Sequence, residues 1–164
     1  MNTQTMNTLT AQLADQLVSL NNDMRSFVEQ CDDQQWQTMM PDEQWPVNVA
    51  MHHILTGHYA IIGLIKRKMR DQPLPQLSNE FIDSTNASNA EGAAGITQSD
   101  VLALIEKYAV SSAEFLRTLN DDQIKDTIYF GPAGGDIEMA RLIDLSIVQS
   151  ARQHLDRAIA ASNL

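Results

Sequence analysis

Apolar residues recur every three or four positions in four separate stretches of this chain. In the first, about residues 8–31, they fall at Leu9, Leu13, Leu17, Leu20, Met24, Phe27, Val28 and Cys31, the spacing of one helix face. Pro41 and Pro46 punctuate the next segment. A second helix is predicted over about 46–70, with Pro46 in the first turn, where its missing N–H is not needed. The third begins at Thr97, where Thr97 and Asp100 have capping-box spacing with Asp in place of Glu or Gln. Its stripe is Val101, Leu104, Ile105, Tyr108, Phe115, Leu116 and Leu119. The fourth spans about 137–161, with Leu142, Leu145, Val148, Ala151, Leu155, Ala158 and Ile159 expected to face inward.

Between the second and third helices, residues 71–97 carry Pro73, Pro75 and a run of Asn, Ser, Ala and Gly. That composition favours a loop with at most a short helical turn. Gly131-Pro132 and Gly134-Gly135 mark turns before the fourth helix. No strand set and no internal repeat is evident. Four long amphipathic helices can bury their stripes only against one another, so the expected fold is an all-α four-helix bundle, one domain over 1–164. The long connection is sufficient for a crossover between helices two and three.

Composition narrows the partners. With 21 acidic against 11 basic residues the net charge is −10 and the pI about 4.6. Such a surface repels phosphate backbones and anionic lipid, so neither nucleic acid nor membrane is an expected partner. The densest basic run, "KRKMR" at 66–70, falls at a helix end, where cations complement the exposed carbonyls. Cys31 is the single cysteine, so no internal disulfide forms. The N-terminal segment has no basic, apolar leader pattern, and the run "AIIGLI" is too short to span a bilayer. A soluble cytoplasmic protein is the expectation.

Three of the four histidines crowd into "WPVNVAMHHILTGH", residues 45–58. On a straight helix His53 shares a face with Val49, Gly57, Ala60 and Leu64, while His58 lies about 140° away. His154 follows Val148 and Ala151 along the inward seam of helix four. One inward histidine from each of two facing helices is how bundles build metal sites. Two imidazoles make half of a tetrahedral site, whereas a catalytic zinc usually takes three protein ligands and water. Ser150 stands one turn before His154 and is a poor ligand. His58 or His52 could add a ligand only from a distorted helix, and Asp83 only from a crossover folded over the bundle mouth. The competing reading is that His53 and His154 are hydrogen-bonded core residues.

Trp45 followed by His53 and Ile54, "FIDSTNA" at 81–87, and "QSARQHLDRAIAA" at 149–161 resemble the DinB/YfiT-like family of four-helix bundles. The resemblance covers nearly the whole chain in element order. It implies one divalent ion, zinc or nickel, held by three histidines. It also implies thiol-dependent transfer or isomerisation with a low-molecular-weight thiol in some members, and a homodimer. His53 matches the helix-two ligand and His154 the second histidine of a His-x-x-x-His pair. Ser150 replaces the first, so the implied site is one ligand short, which points to low metal occupancy.

Other constellations carry less. A Ser150–His154 nucleophile lacks both the Gly-x-Ser-x-Gly elbow and an oxyanion hole. Nothing basic adjoins Cys31, and its neighbours Glu29, Asp32 and Asp33 raise a thiol pKa. "GPAGGD" lacks the Lys-Ser/Thr of a phosphate loop, and no Glu-x-x-His of a di-iron centre occurs. Two readings remain. One is a metal-dependent small-molecule transferase or hydrolase using His53 and His154. The other is a non-catalytic bundle with a degenerate metal site, binding a small ligand or acting through a dimer face.

Overall fold

A computed structural model describes residues 8–164; the first seven residues of the N-terminal segment considered above lie outside that range. Helix α1, Leu9–Gln30, is capped by the Thr8 side chain on the Ala11 amide and buries Leu13, Leu17, Leu20, Met24, Phe27 and Val28. It is followed by a four-residue helix, α2 (Asp33–Trp36), closed by a capping box between Asp32 and Gln35. The indole N–H of Trp36 donates to the Ile96 carbonyl at 3.0 Å, tying this corner to the start of a later helix. A two-residue hairpin, β1 (Met39–Met40) with β2 (Trp45–Pro46), leads into α3, Val47–Lys68.

The four long helices are α1, α3, α5 (Gln98–Thr118) and a final one that closes the chain. Around the bundle α1 packs on α5, α5 on α3, α3 on the final helix, and the final helix back on α1. Consecutive long helices α1 and α3 therefore stand on a diagonal. The chain reaches α5 by crossing the bundle after α3, as the long connection predicted. Two groups of buried side chains fill the interior, one around Met24, Met51, Leu55 and Ile105, the other around Leu17, Ile65, Leu116 and Leu142. Each such side chain contributes about 1.5–3 kcal/mol on burial.

The crossover is not the loop its composition suggested. It carries a fourteen-residue helix, α4 (Asn79–Gly92), whose N-terminus is capped by the Ser78 side chain on the Phe81 amide. No residue of α4 is fully buried, which is why no apolar stripe marked it. Its Ile82 leans against the second core group, and the cap satisfies amides that would otherwise hold it open to water.

The expectation of no strands is also corrected. Residues around the Gly131 and Gly134 turns form a hairpin, β3 (Thr127–Phe130) with β4 (Gly135–Glu138). Its tip docks on the crossover. The Gly131 amide donates to the Leu77 carbonyl at 2.7 Å, and a Cβ on Gly131 would fall 2.8 Å from that oxygen and from the Asn79 nitrogen. Only glycine permits so close an approach of two backbones.

The final helix has three parts: α6 (Met139–Ile143), a π-helical segment Asp144–Gln149, and α7 (Ser150–Ser162). The π turn shifts the inward face. Ile143 and Ile147 are fully buried, whereas Leu145 and Val148, expected inward on a straight helix, are only half-buried. Downstream of it Ala151, Leu155 and Ala158 face the core as the periodicity predicted. Among the described residues no helix is long and apolar enough to cross a membrane.

Candidate functional site

The site begins at the β1–β2 hairpin. Its four-residue loop turns through Gln44 in a left-handed conformation, φ 57°, and leaves the side chain of Glu43 only 5% exposed while Asp42 stays in solvent. A carboxylate so buried must be partnered. His154 Nδ1–H donates to Glu43 Oε1 at 2.6 Å and Arg157 donates to the same oxygen at 3.0 Å. The second oxygen, Oε2, is buried and has no hydrogen-bond partner among the described residues. Because an ionised carboxylate only accepts, the Nδ1 position of His154 carries a proton, and in the neutral ring Nε2 keeps its lone pair.

His53 of α3 lies edge-on to His154, ring centroids 5.0 Å apart and planes at 86°. Trp45 also packs against the His53 ring, centroids 4.9 Å apart and planes at 59°. Burial, reinforced by His154, His52 and His58, pushes the His53 pKa down to about 4. At neutral pH it is therefore an uncharged imidazole, the form that ligates metal or accepts a proton.

His53 stands at one end of a cavity of about 640 Å³. Gly57, Ala60, Ile61 and Leu64 of the same α3 face form one wall, with Phe81, Ile82, Thr85 and Asn86 of α4 opposite. Phe130 and Pro132 of the second hairpin, with Leu145, Ser146 and Ser150 of the final helix, complete it. A Cβ at Gly57 would meet nothing within 4 Å, so the missing side chain directly enlarges the space beside His53. The walls are mainly apolar, with a few polar groups, the usual make-up of a small-molecule site.

The structure brings His53, His154 and Ser150 to this end of the bundle and sends the other histidine and acidic candidates elsewhere. His58 is 2% exposed, and its Nε2–H donates to the Ile147 carbonyl at 2.9 Å within the π segment. Burial holds its pKa near 4 despite that bond. It is a satisfied core histidine. His52 is half-buried on an adjoining face, and its pKa is lowered by desolvation. Asp83 is exposed on α4, while Asn86, three residues on, lines the cavity. Cys31 is buried, and desolvation followed by Asp32 raises its pKa to about 11, so it is a core residue at neutral pH. Among the described residues no three His, Cys, Asp or Glu side chains gather in a metal-ligating group.

Glu43 was missed in the sequence. Nothing in "MMPDEQWP" separates it from Asp42; only the handedness of the turn and the arrival of His154 and Arg157 do. No protein-family model matches the chain, and no curated protein matches it. Among solved structures, YfiT from Bacillus subtilis superimposes with a TM-score of 0.75 at 19% identity, over 94% of this chain and 86% of that one. The fold is the DinB/YfiT-like bundle. That YfiT structure is described as a probable metal-dependent hydrolase with an unusual four-helix bundle topology. Within the YfiT-like frame His53 and His154 come from the two facing helices, α3 and α7, and Ser150 occupies the cavity wall one turn before His154.

Proposed function

We propose that this protein acts on a small, largely apolar molecule held in the α3–α4 cavity, using a divalent ion, zinc or nickel, bound between His53 and His154. The observation that carries the reading is the Glu43–His154 hydrogen bond beside a neutral His53. A carboxylate on Nδ1 fixes the ring and tautomer of a ligating histidine, the usual outer-shell arrangement of metal sites. The ion, when bound, would polarise an acyl group or lower the pKa of a coordinated water or low-molecular-weight thiol. The chain's own part is then hydrolysis or group transfer by placement. Leu64, Phe81 and Phe130 exclude water from the apolar portion, and Ser146, Ser150, Thr85 and Asn86 offer hydrogen bonds to the polar end. The YfiT neighbour's description as a probable metal-dependent hydrolase supports the same class of reaction.

Two histidines supply two positions, leaving the rest of the coordination shell to water or the bound molecule. That observation favours a second reading, a non-catalytic bundle with a degenerate metal site that binds a small ligand or pairs with another copy. Metal content by mass spectrometry on protein purified without a metal-affinity column separates them. Near-stoichiometric zinc or nickel, lost in both His53→Ala and His154→Ala, supports the metal reading. No bound ion and no uptake at micromolar concentration selects the second.

A further inference from the structure

On the opposite side of the Ala60–Leu64 ridge a groove of about 540 Å³ runs between α3 and α5. Ala60 and Gly63 of α3 and Ser111 and Ser112 of α5 are among the residues that line it. A Cβ on Gly63 would meet no atom within 4 Å, so a residue that weakens the helix also keeps the groove open.

The groove collects charge in an unexpected way. Of the eleven Lys and Arg residues, seven make an ion pair with a described carboxylate. The four that do not are Lys66, Arg67, Arg70 and Lys107, and all four line this groove. In a chain with 21 acidic residues, four cations lining one groove without an ion pair to a described carboxylate leave a local positive patch on an acidic surface. Lys66 sits over the Phe115 ring at 4.9 Å and Lys107 over Tyr108 at 5.2 Å. A ring quadrupole orients an ammonium group without neutralising it. Tyr59, 60% exposed, packs on Tyr108 at 4.8 Å and raises one wall. Complementing the α3 carbonyl end accounts for cations in its last turn. It does not account for Lys107, which comes from the middle of another helix.

We propose that this groove is a binding site for a small organic anion carrying two phosphate groups, one held by the α3 cations and one reached by Lys107. Arginine forks and lysine point charges are the side chains that recognise phosphate. The ligand is small because the surrounding net charge of −10 repels an extended polyanion, while within a Debye length the local cations prevail.

Fructose 1,6-bisphosphate is a suitable probe, followed by amide chemical shifts of the full chain. Saturable shifts at Gly63 and Ser111, weakened about tenfold or more in Arg70→Gln/Lys107→Gln and unchanged in Lys125→Gln, support the site. Lys125 is an exposed, paired cation outside the groove. Absence of saturation at millimolar ligand, or equal binding by the double variant, overturns it. So does tighter binding of a single-stranded oligonucleotide or an anionic vesicle through the same cations, which would make the partner a macromolecule. None of these results bears on metal binding at His53 and His154, so the two proposals fail separately.

Discussion

Glu43 and His154 meet across 111 positions of sequence at 2.6 Å. The carboxylate arrives on a hairpin loop and the imidazole on the last helix, so the pair exists only once the bundle has closed. Its consequence for a metal at His154 is measurable. Glu43→Gln keeps the shape but weakens the hold on Nδ1, and zinc affinity by calorimetry is expected to fall about 10–100-fold. Unchanged affinity would mean that Glu43 serves the fold alone.

Ser150 offers the converse test. It lines the cavity one turn before His154, where an imidazole would face the same space as His53. Ser150→His is expected to tighten zinc binding at least tenfold, read by competition with a chromogenic chelator. If the third imidazole adds nothing, the His53–His154 pair is not arranged around an ion.

Stability should depend on pH through the two buried histidines. Burial holds His53 and His58 near pKa 4 in the folded protein, against about 6.5 in an unfolded chain. Between those values the unfolded state binds more protons, so stability rises with pH from about 4 to 6.5 and levels off above. Each histidine adds a slope of at most about 1.4 kcal/mol per pH unit. In urea titrations with chelator present, His58→Asn should lower the slope in that window by about one proton. A slope identical to wild type would show that His58 is not held neutral by burial.

Gly131 fixes the crossover to the second hairpin. Gly131→Ala places a methyl 2.8 Å from backbone atoms of Leu77 and Asn79, which cannot rotate aside as a side chain would. A loss of about 1–3 kcal/mol is expected from chemical unfolding, with weaker binding in the cavity walled by Phe130 and Phe81. Gly135→Ala, which meets no atom within 4 Å, should stay within about 0.5 kcal/mol of wild type. Equal stability of the two variants would remove the docking role.

Period and capping are short-range properties, and the sequence alone determined what depends on them. Four amphipathic helices, the Thr97–Asp100 box and the shared face of His53, Gly57, Ala60 and Leu64 follow from spacing within one or two turns, and the crossover after the second long helix follows from the length of its connection. A helix without a buried face, such as α4, leaves no such trace, and a π turn shifts a face without changing composition. Only the tertiary structure decided which carboxylate would be buried, that His58 would bond to the π segment, and that Lys107 would join the cations of α3. Each of these depends on partners far away in sequence, because a charge or imidazole leaves water only where another element supplies its hydrogen bond or counter-charge.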